Sequence, residues 1–203
     1  MTDAPQPRGT GSPGRPARPD ELDLITDSLS RAFVADPVWG WAFADVAEIA
    51  VCWRRCLSSA LPYGWVWTTE NAEAVALWIP PGRDELNAED EAAIEPELRS
   101  LMGDRADLPL NAWPAFDLWH PHDEPHYYLS LLGTHPDHRG RGHGMRLLRH
   151  TLTLIDAEHR AAYLESTNPA NIERYARLGF EPRDTFVVPG GEAIVTTMWR
   201  PAQ

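Results

Sequence analysis

The sequence contains no lysine among its 203 residues. This absence excludes a nucleotide-binding P-loop, which needs a lysine at the phosphates, and a pyridoxal phosphate enzyme, which holds its cofactor as a lysine Schiff base. Cysteine is scarce as well: Cys52 and Cys56 are the only two, and their spacing puts them on one face of a helix. A buried structural role is expected there rather than a disulfide or a metal site.

The chain also lacks an apolar run long enough to span a membrane, and its proline-, glycine- and arginine-rich start has no apolar signal segment. We therefore expect a cytoplasmic protein with no membrane partner. The formal net charge of -12 argues against nucleic acid as a partner, because nucleic-acid binding needs a broadly basic face. An acidic surface is compatible with attracting cationic substrates, although it also serves solubility alone.

Composition and hydrophobic periodicity divide the chain into a tail and one domain. Residues 1–19 are rich in proline, glycine and arginine and are predicted to be a flexible tail, with only a weak signal for a short strand near residues 15–18. Residues 20–203 are predicted to form a single domain with a helical insertion at about 84–122. The elements predicted in it are helices at about 20–35, 45–61, 87–103, 142–158 and 170–178, and strands at about 64–69, 74–79, 126–134, 161–167, 180–188 and 192–199. This order is typical of an α+β protein with a mixed sheet.

One stretch, residues 129–145, concentrates the features of an anion site. An apolar strand leads through a polar turn into a loop with glycine at three alternate positions, and an amphipathic helix follows. Backbone N–H groups of such a loop can approach a ligand closely, and the helix adds the positive end of its dipole. The arginines of the stretch and its first following turn are Arg139, Arg141, Arg146 and Arg149, against one acid, Asp137. The arrangement suits a pyrophosphate, although the spacing G-x-G-x-G differs from the G-x-G-x-x-G of dinucleotide sites.

The loop Arg139-Gly140-Arg141-Gly142-His143-Gly144 resembles the acyl-CoA pyrophosphate motif Q/R-x-x-G-x-G/A of the GNAT family of N-acetyltransferases. The later stretches 163–171 and 175–181, with Asn171, Tyr175 and Leu178-Gly179-Phe180, are similar to that family's next block. The resemblance covers roughly residues 20–199. Short segments at 32–37, 66–78 and 188–189 are most similar to puromycin N-acetyltransferase-like members, which does not imply that puromycin is the substrate.

The resemblance implies a mostly antiparallel mixed sheet in which two strands, here 126–134 and 161–167, splay apart after a bulge. It implies acetyl-CoA as co-substrate, with the pantetheine arm against the first strand and the diphosphate on the loop amides. The residues expected to bind acetyl-CoA are Leu131, Leu132, Gly133, Arg139, Gly140, Arg141, Gly142, His143, Gly144 and Asn171.

The implied reaction is direct acetyl transfer to a primary amine of a small molecule. An alkylammonium with a pKa of about 10 must lose a proton before it attacks, so a base is needed. Glu165 is the first candidate, with His126, Glu124 and Asp36 in reserve. Tyr175 matches the family tyrosine that protonates the leaving thiolate, and a backbone N–H at Leu131 or Leu132 would stabilise the oxyanion.

Four points stay open at this level. The protein could be a non-catalytic acyl-CoA-binding sensor on the same fold. The stretch from His120 to His126 contains zinc-ligand residue types, but its two prolines and loop setting make a pre-formed site improbable, so no metal is expected. The aromatic residues Trp39, Trp41, Trp113, Phe116 and Trp119 could wall an acceptor pocket or fill the core. A homodimer is possible, since dimers are common in the family.

Overall fold

A computed structural model of the protein describes residues 13–203. Its centre is a seven-stranded sheet in the order β1-β2-β3-β4-β5-β7-β6, in which only β4 and β5 are parallel. The expected mixed, mostly antiparallel sheet is thereby confirmed. The strands are β1 Arg15–Pro16, β2 Val66–Thr68, β3 Ala74–Ile79, β4 His126–Thr134, β5 Ala161–Ser166, β6 Glu181–Val187 and β7 Ile194–Arg200.

Helices cover both faces of the sheet. They are α1 Leu22–Phe33, α2 Trp39–Ala42, α3 Val46–Ala60, α4 Ala88–Met102, α5 Asp107–Trp119, α6 His143–Ala157 and α7 Ile172–Ala176. Helices α1 to α5 share one core with the near face of β3 and β4, and α6 and α7 share a second core on the far face. The two cores follow from the alternation of side chains along each strand.

Local sequence signals account for most of these elements. Asp45 caps α3 by accepting hydrogen bonds from the N–H groups of Ala47 and Glu48. In α6 the expected stripe of Leu148, Leu152 and Ile155 is buried, but Met145 is only half-buried and Leu147 takes its place. Cys52 and Cys56 are buried in α3 without a disulfide, as predicted.

The sheet begins inside the segment that was expected to be a tail. Arg15 and Pro16 pair with Thr68 and Trp67 of β2, and the Arg15 guanidinium lies 2.6 Å from Glu21 in a salt bridge. Residues 13–19 therefore belong to the domain instead of a flexible tail. A strand of two residues is too short for an alternation pattern, so the sequence signals it only weakly. The prediction for residues 1–12 lies outside the described residues.

The segment 84–122 contains α4 and α5, which extend the α1–α3 side of the molecule. Within residues 13–203 there is no helix whose length and apolar character would let it cross a bilayer.

Candidate active site between two splayed strands

The site lies where β4 and β5 separate. The two strands pair only from His126 opposite Ala161 to Tyr128 opposite Tyr163. Beyond these positions they do not pair with each other. On its other edge β4 stays paired with β3 as far as Thr134. Because a strand directs N–H and C=O groups to both edges, the part of β4 after Tyr128 presents unpaired backbone groups to the gap. The predicted splay is observed.

A bulge at Ser130 accompanies the separation. Leu77 of β3 is opposite Leu131 and Trp78 is opposite Leu129, so Ser130 has no partner on β3. The extra residue shifts the alternation: Leu129 packs in the core with α6, whereas Leu131 packs in the core with α1. The Ser130 hydroxyl donates a hydrogen bond to Glu85, which fixes the bulge to the loop after β3.

The gap contains a cavity of about 80 Å³. Its walls are the bulged part of β4, the end of β5 and side chains from the helical face. The lining residues are Phe33, Asp36, Trp39, Trp53, Glu85, Trp113, Phe116, Tyr128, Leu129, Ser130, Leu131, Leu132, Leu164, Glu165, Ser166, Thr167, Asn171 and Tyr175. The cavity therefore brings together the predicted pantetheine strand and both predicted catalytic side chains.

A larger, more open cleft of about 1040 Å³ meets this cavity from the side of α4 and α5. Glu85, Glu165, Tyr128, Trp113 and Phe116 line both spaces, which makes them the boundary between the two. The charged side chains along the cleft are acidic with the exception of Arg83. We call this space the acceptor cleft. The resemblance to N-acetyltransferases implies an amine acceptor, and this space reaches the gap from the side opposite α6, the helix that follows the glycine loop.

The glycine loop supplies a row of free backbone donors at the end of β4. The N–H groups of Gly140, Arg141 and Gly142 donate to no residue within 13–203, and those of 143–145 begin α6, where a helix has no acceptor for them. Gly140 and Gly142 have φ of 77° and 74°, a left-handed conformation that glycine adopts without strain. A Cβ on Gly144 would lie 2.7 Å from Thr134 Oγ1, so this glycine lets α6 start directly against β4.

Three arginines in or beside the glycine loop differ in their contacts. Arg139 donates to the carbonyl of Ala32 at 2.7 Å and so ties the loop to the end of α1. Arg146 donates to the carbonyl of Arg141 at 2.5 Å and stabilises the loop from within. The Arg141 side chain is exposed and forms no ion pair within the described chain, which leaves it available to an anion.

Tyr175 is buried in α7 and lines the cavity. Its ring packs edge-on against Phe180, and its hydroxyl forms no hydrogen bond with any described residue. Burial, with a smaller contribution from the charge of Asp36, raises the pKa of Tyr175 to about 12. The hydroxyl is therefore protonated at neutral pH and can act as a donor. Asn171, at the start of the same helix, also lines the cavity and accepts from Arg174.

Glu165 lies on β5 with its side chain only 3% exposed, so it does not face bulk solvent. Its Oε1 is buried and has no hydrogen-bond partner within the described chain. A buried carboxylate oxygen without a donor is costly unless a ligand or water supplies one. Burial, together with the nearby charge of Glu165, raises the pKa of Tyr128 well above its usual range.

The three reserve candidates lie in different places. Asp36 lines the cavity, accepts from Thr167 at 2.6 Å and caps the turn at Val38 and Trp39. Burial raises its pKa. His126 and Glu124 line the acceptor cleft and not the cavity. The hydrogen bonds of Asp36 indicate a structural tie between α1 and the end of β5.

Sequence reasoning missed Glu85 and His120, which both approach Glu165. Glu85 stands in a loop with no periodic pattern, and His120 was considered only as a metal ligand. No three histidine, cysteine or carboxylate side chains within residues 13–203 converge as metal ligands would. No local signal marks Glu85, because it lies in the loop after β3 and reaches the bulged strand only through tertiary packing.

The aromatic residues divide between the site and the core. Trp39 lines the cavity, and Trp113 and Phe116 line both spaces, so these three wall the site. Trp39 stacks on Phe116 with ring centroids 5.3 Å apart, and it packs at a tilt against Trp113. Trp119 instead stacks on Phe186 outside the site, and Trp41 lies against the turn at Gly190 and Gly191.

Comparisons with known proteins agree with this geometry. Residues 104–180 match the model of the acetyltransferase (GNAT) family. A solved structure from Corynebacterium glutamicum, described as histone acetyltransferase HPA2 and related acetyltransferase, is 25% identical with a TM-score of 0.65, over 94% of this chain and 96% of that one.

Two insect enzymes show the same fold at lower identity. The polyamine N-acetyltransferase of Drosophila melanogaster is 18% identical with a TM-score of 0.57, over 93% of this chain and 98% of that one. Arylalkylamine N-acetyltransferase 2 of Aedes aegypti is 14% identical with a TM-score of 0.65, over 94% and 98%. The chain thus has the fold of GNAT acetyltransferases, and its residues 104–180 match the family model.

Proposed function

We propose that this protein is an acetyl-CoA-dependent N-acetyltransferase that acetylates a primary amine of a small molecule by direct attack. The observation that carries the proposal is the row of unpaired N–H donors from residue 140 to residue 145. It stands at the end of the free edge of β4, which leads into the cavity at Glu165 and Tyr175. A diphosphate, an amide-containing arm and a thioester fit these three places in this order.

The residues present fit acetyl-CoA along its length. The loop amides of 140–145 and the exposed Arg141 would hold the diphosphate, since anions bind at helix N-termini and to guanidinium groups. The unpaired edge of Leu131, Leu132 and Gly133 would pair with the pantetheine amides. His143 and Arg139 would support the loop, and Asn171 would border the arm at the start of α7. Acetyl-CoA supplies the acetyl group as an activated thioester.

The chain's own groups supply the rest of the chemistry. Glu165, the first candidate for the base, faces the amine, and its carboxylate attracts the ammonium form and accepts a hydrogen bond from its N–H group. A backbone N–H of Leu131 or Leu132 stabilises the carbonyl oxygen as negative charge develops on it. Tyr175, which holds its proton at neutral pH, gives it to the leaving sulfur.

Two facts support a cationic small amine as the acceptor. The acceptor cleft is lined by acidic side chains and by the aromatic rings of Trp113 and Phe116. The structural neighbours include enzymes described as acting on polyamines, agmatine and arylalkylamines. The similarity to puromycin N-acetyltransferase-like members remains a prediction from sequence, and it adds aminoacyl nucleosides to the amines worth testing.

The test is CoA release from acetyl-CoA with a panel containing phenethylamine, agmatine, spermidine and an aminoacyl nucleoside. We expect turnover with at least one amine, and about 100-fold slower turnover in Tyr175→Phe with nearly unchanged acetyl-CoA affinity. Tyr127→Phe is the matched control, because its hydroxyl bonds Glu158 away from the cavity.

Other outcomes would overturn the proposal. Acetyl-CoA binding without turnover on any amine would indicate a sensor on the same fold. Absence of acetyl-CoA binding would refute both the enzyme and the sensor. An equal loss of turnover and affinity in Tyr175→Phe would assign Tyr175 a packing role.

A further inference from the structure

His120 and Glu165 meet at the inner end of the acceptor cleft. Nδ1 of His120 lies 3.8 Å from Oε1 of Glu165, and the two side chains are 22% and 3% exposed. This separation is too long for a hydrogen bond, and Oε1 has no other partner in the described chain. The question is which of the two facing atoms carries a proton.

The hydrogen bonds of His126 determine which ring nitrogen of His120 carries the proton. Nδ1 of His126 lies 2.6 Å from the carbonyl oxygen of Glu124, and a carbonyl only accepts, so Nδ1 carries the proton. Burial lowers the pKa of His126, which favours its neutral form with a lone pair on Nε2. That lone pair faces Nε2 of His120 at 3.1 Å, so Nε2 of His120 is the donor. A neutral His120 protonated at Nε2 has its lone pair on Nδ1.

Two acceptor atoms, Nδ1 of His120 and Oε1 of Glu165, therefore face each other with no proton between them. The complement of such a pair is a group with several N–H donors and a positive charge. The pair lies where the acceptor cleft reaches the cavity, since Glu165 lines both spaces and His120 lines the cleft. An ammonium entering through the acidic cleft meets this pair before it reaches the thioester position.

We propose that Glu165 Oε1 and His120 Nδ1 bind the ammonium form of the acceptor between them and that His120 takes its proton. The inference rests on the proposed function and adds to it the residue that receives the proton. The resulting imidazolium is stabilised on both sides, because Nδ1 lies within ion-pair distance of Oε1 of Glu165, at 3.8 Å, and Nε2–H keeps its bond to His126. A hydrogen-bonded, charge-paired imidazolium is a stable product of the transfer.

Protons and electron pairs balance in the proposed transfer. The ammonium gives one proton to Nδ1 of His120, and the freed electron pair of the nitrogen forms the bond to the acetyl carbon. The bond from that carbon to sulfur breaks, and its electron pair stays on sulfur. The second amine proton reaches the sulfur by way of Tyr175. His120 then releases its proton to solvent through the open cleft.

The pH dependence of His120 is set by its neighbours on every side. The titratable groups that face it are Glu85 from the loop after β3, Glu165 and Tyr163 from β5, Tyr128 and His126 from β4, and His122 from its own loop.

The experiment is the pH profile of kcat/KM for wild type and His120→Gln, with an amine from the panel that wild type acetylates. Glutamine keeps an N–H donor for His126 and an acceptor for the ammonium but cannot take a proton. At neutral pH we expect about 100-fold lower kcat/KM in His120→Gln. Its log kcat/KM should rise with unit slope up to the pKa of the amine, whereas wild type should reach a plateau earlier. His159→Asn is the control, because this exposed histidine lines neither space and asparagine tolerates its φ of 49°.

A His120→Gln profile with the same shape as wild type would overturn the inference, whatever the size of the loss. Absence of turnover in wild type would instead refute the proposed function. A second measurement needs no variant: the ¹⁵N imidazole shifts of wild type should show His120 protonated at Nε2 and His126 protonated at Nδ1. The opposite tautomers would also overturn the inference.

Discussion

At the scale of single residues, Glu85 holds the bulge of β4 in place by accepting from Ser130. Burial of this carboxylate, reinforced by the nearby charge of Glu165, raises its pKa. The negative charge of Glu165 disfavours a second charge on Glu85, because two carboxylates close together repel each other. Glu85 thus acts as a positioning residue for the site rather than as a second base.

The raised pKa of Glu85 gives a prediction for stability. Above the pKa of the unfolded state, about 4.3, ionisation favours unfolding, so this group's contribution to stability is lost as pH rises through its folded pKa. Glu85→Gln removes that loss and can still bond Ser130. We expect the Tm of the variant to equal that of wild type near pH 4.5 and to exceed it increasingly toward pH 8.

Thermal denaturation at several pH values measures this difference. Glu192→Gln, which neutralises an exposed carboxylate in the β6–β7 turn, should show no such trend. If the difference in Tm between wild type and Glu85→Gln does not change with pH, burial does not raise the pKa of the Glu85 carboxyl.

At the scale of elements, the turn from β4 into α6 is one unit built by two kinds of glycine. Gly140 and Gly142 are needed for a left-handed backbone, while Gly133 and Gly144 are needed for close packing. A Cβ on Gly133 would lie 2.8 Å from Ala32 and Leu29 of α1. A substitution at Gly144 or Gly133 therefore disturbs packing, whereas one at Gly140 meets open space and has to tolerate only the left-handed backbone.

Gly140 allows a test of the loop with matched variants. Asparagine and aspartate both tolerate a φ of 77°, and they differ in one charge. Gly140→Asp should weaken acetyl-CoA binding by about tenfold or more, which is about 1.4 kcal/mol, because its carboxylate repels the diphosphate. Gly140→Asn should bind within about threefold of wild type. Calorimetric titration with acetyl-CoA measures both, and equal affinities for the two variants would place the diphosphate elsewhere.

At the scale of the whole molecule, two parts of the sheet meet along a short seam. Strands β4 and β5 pair over only three residues each, and the bond of Asp36 to Thr167 closes the far side of the gap. A ligand in the gap would replace the missing pairing between the two parts. A ligand that binds the folded chain and not the unfolded chain stabilises the folded state.

Acetyl-CoA at about 100 times its Kd should add about 2.7 kcal/mol to the free energy of unfolding. For a chain of this size that corresponds to a rise in Tm of roughly 5–10 °C. Differential scanning calorimetry with and without acetyl-CoA tests this, with Gly140→Asp at the same ligand concentration as the control. A shift of the same size in Gly140→Asp would show that acetyl-CoA stabilises the chain without binding at the loop.

Several elements of this molecule could be predicted because their signals are local. The strand 126–134 was predicted with its observed bounds, and the loop 139–144 was identified from glycines whose conformation depends on adjacent residues. Burial in α6 follows a 3.6-residue period, which the sequence displays directly. The backbone conformation of an element, and which of its faces is buried, depend on a few neighbouring residues.

Contacts between distant segments could not be predicted in this way. Glu85, His120 and Glu165 are separated by 35 or more positions along the sequence, and only the packing of the loop after β3 and of α5 against the end of β5 brings them together. The bulge at Ser130 depends on how β3 pairs with β4, and the tautomer of His120 depends on the carbonyl of Glu124 by way of His126. The amino-acid pattern thus determined the loop proposed to bind an anion, because one loop and one helix start suffice for such a site. Tertiary packing decided which side chains meet in the gap between β4 and β5, because burial, pairing and proton position arise only when separate elements meet.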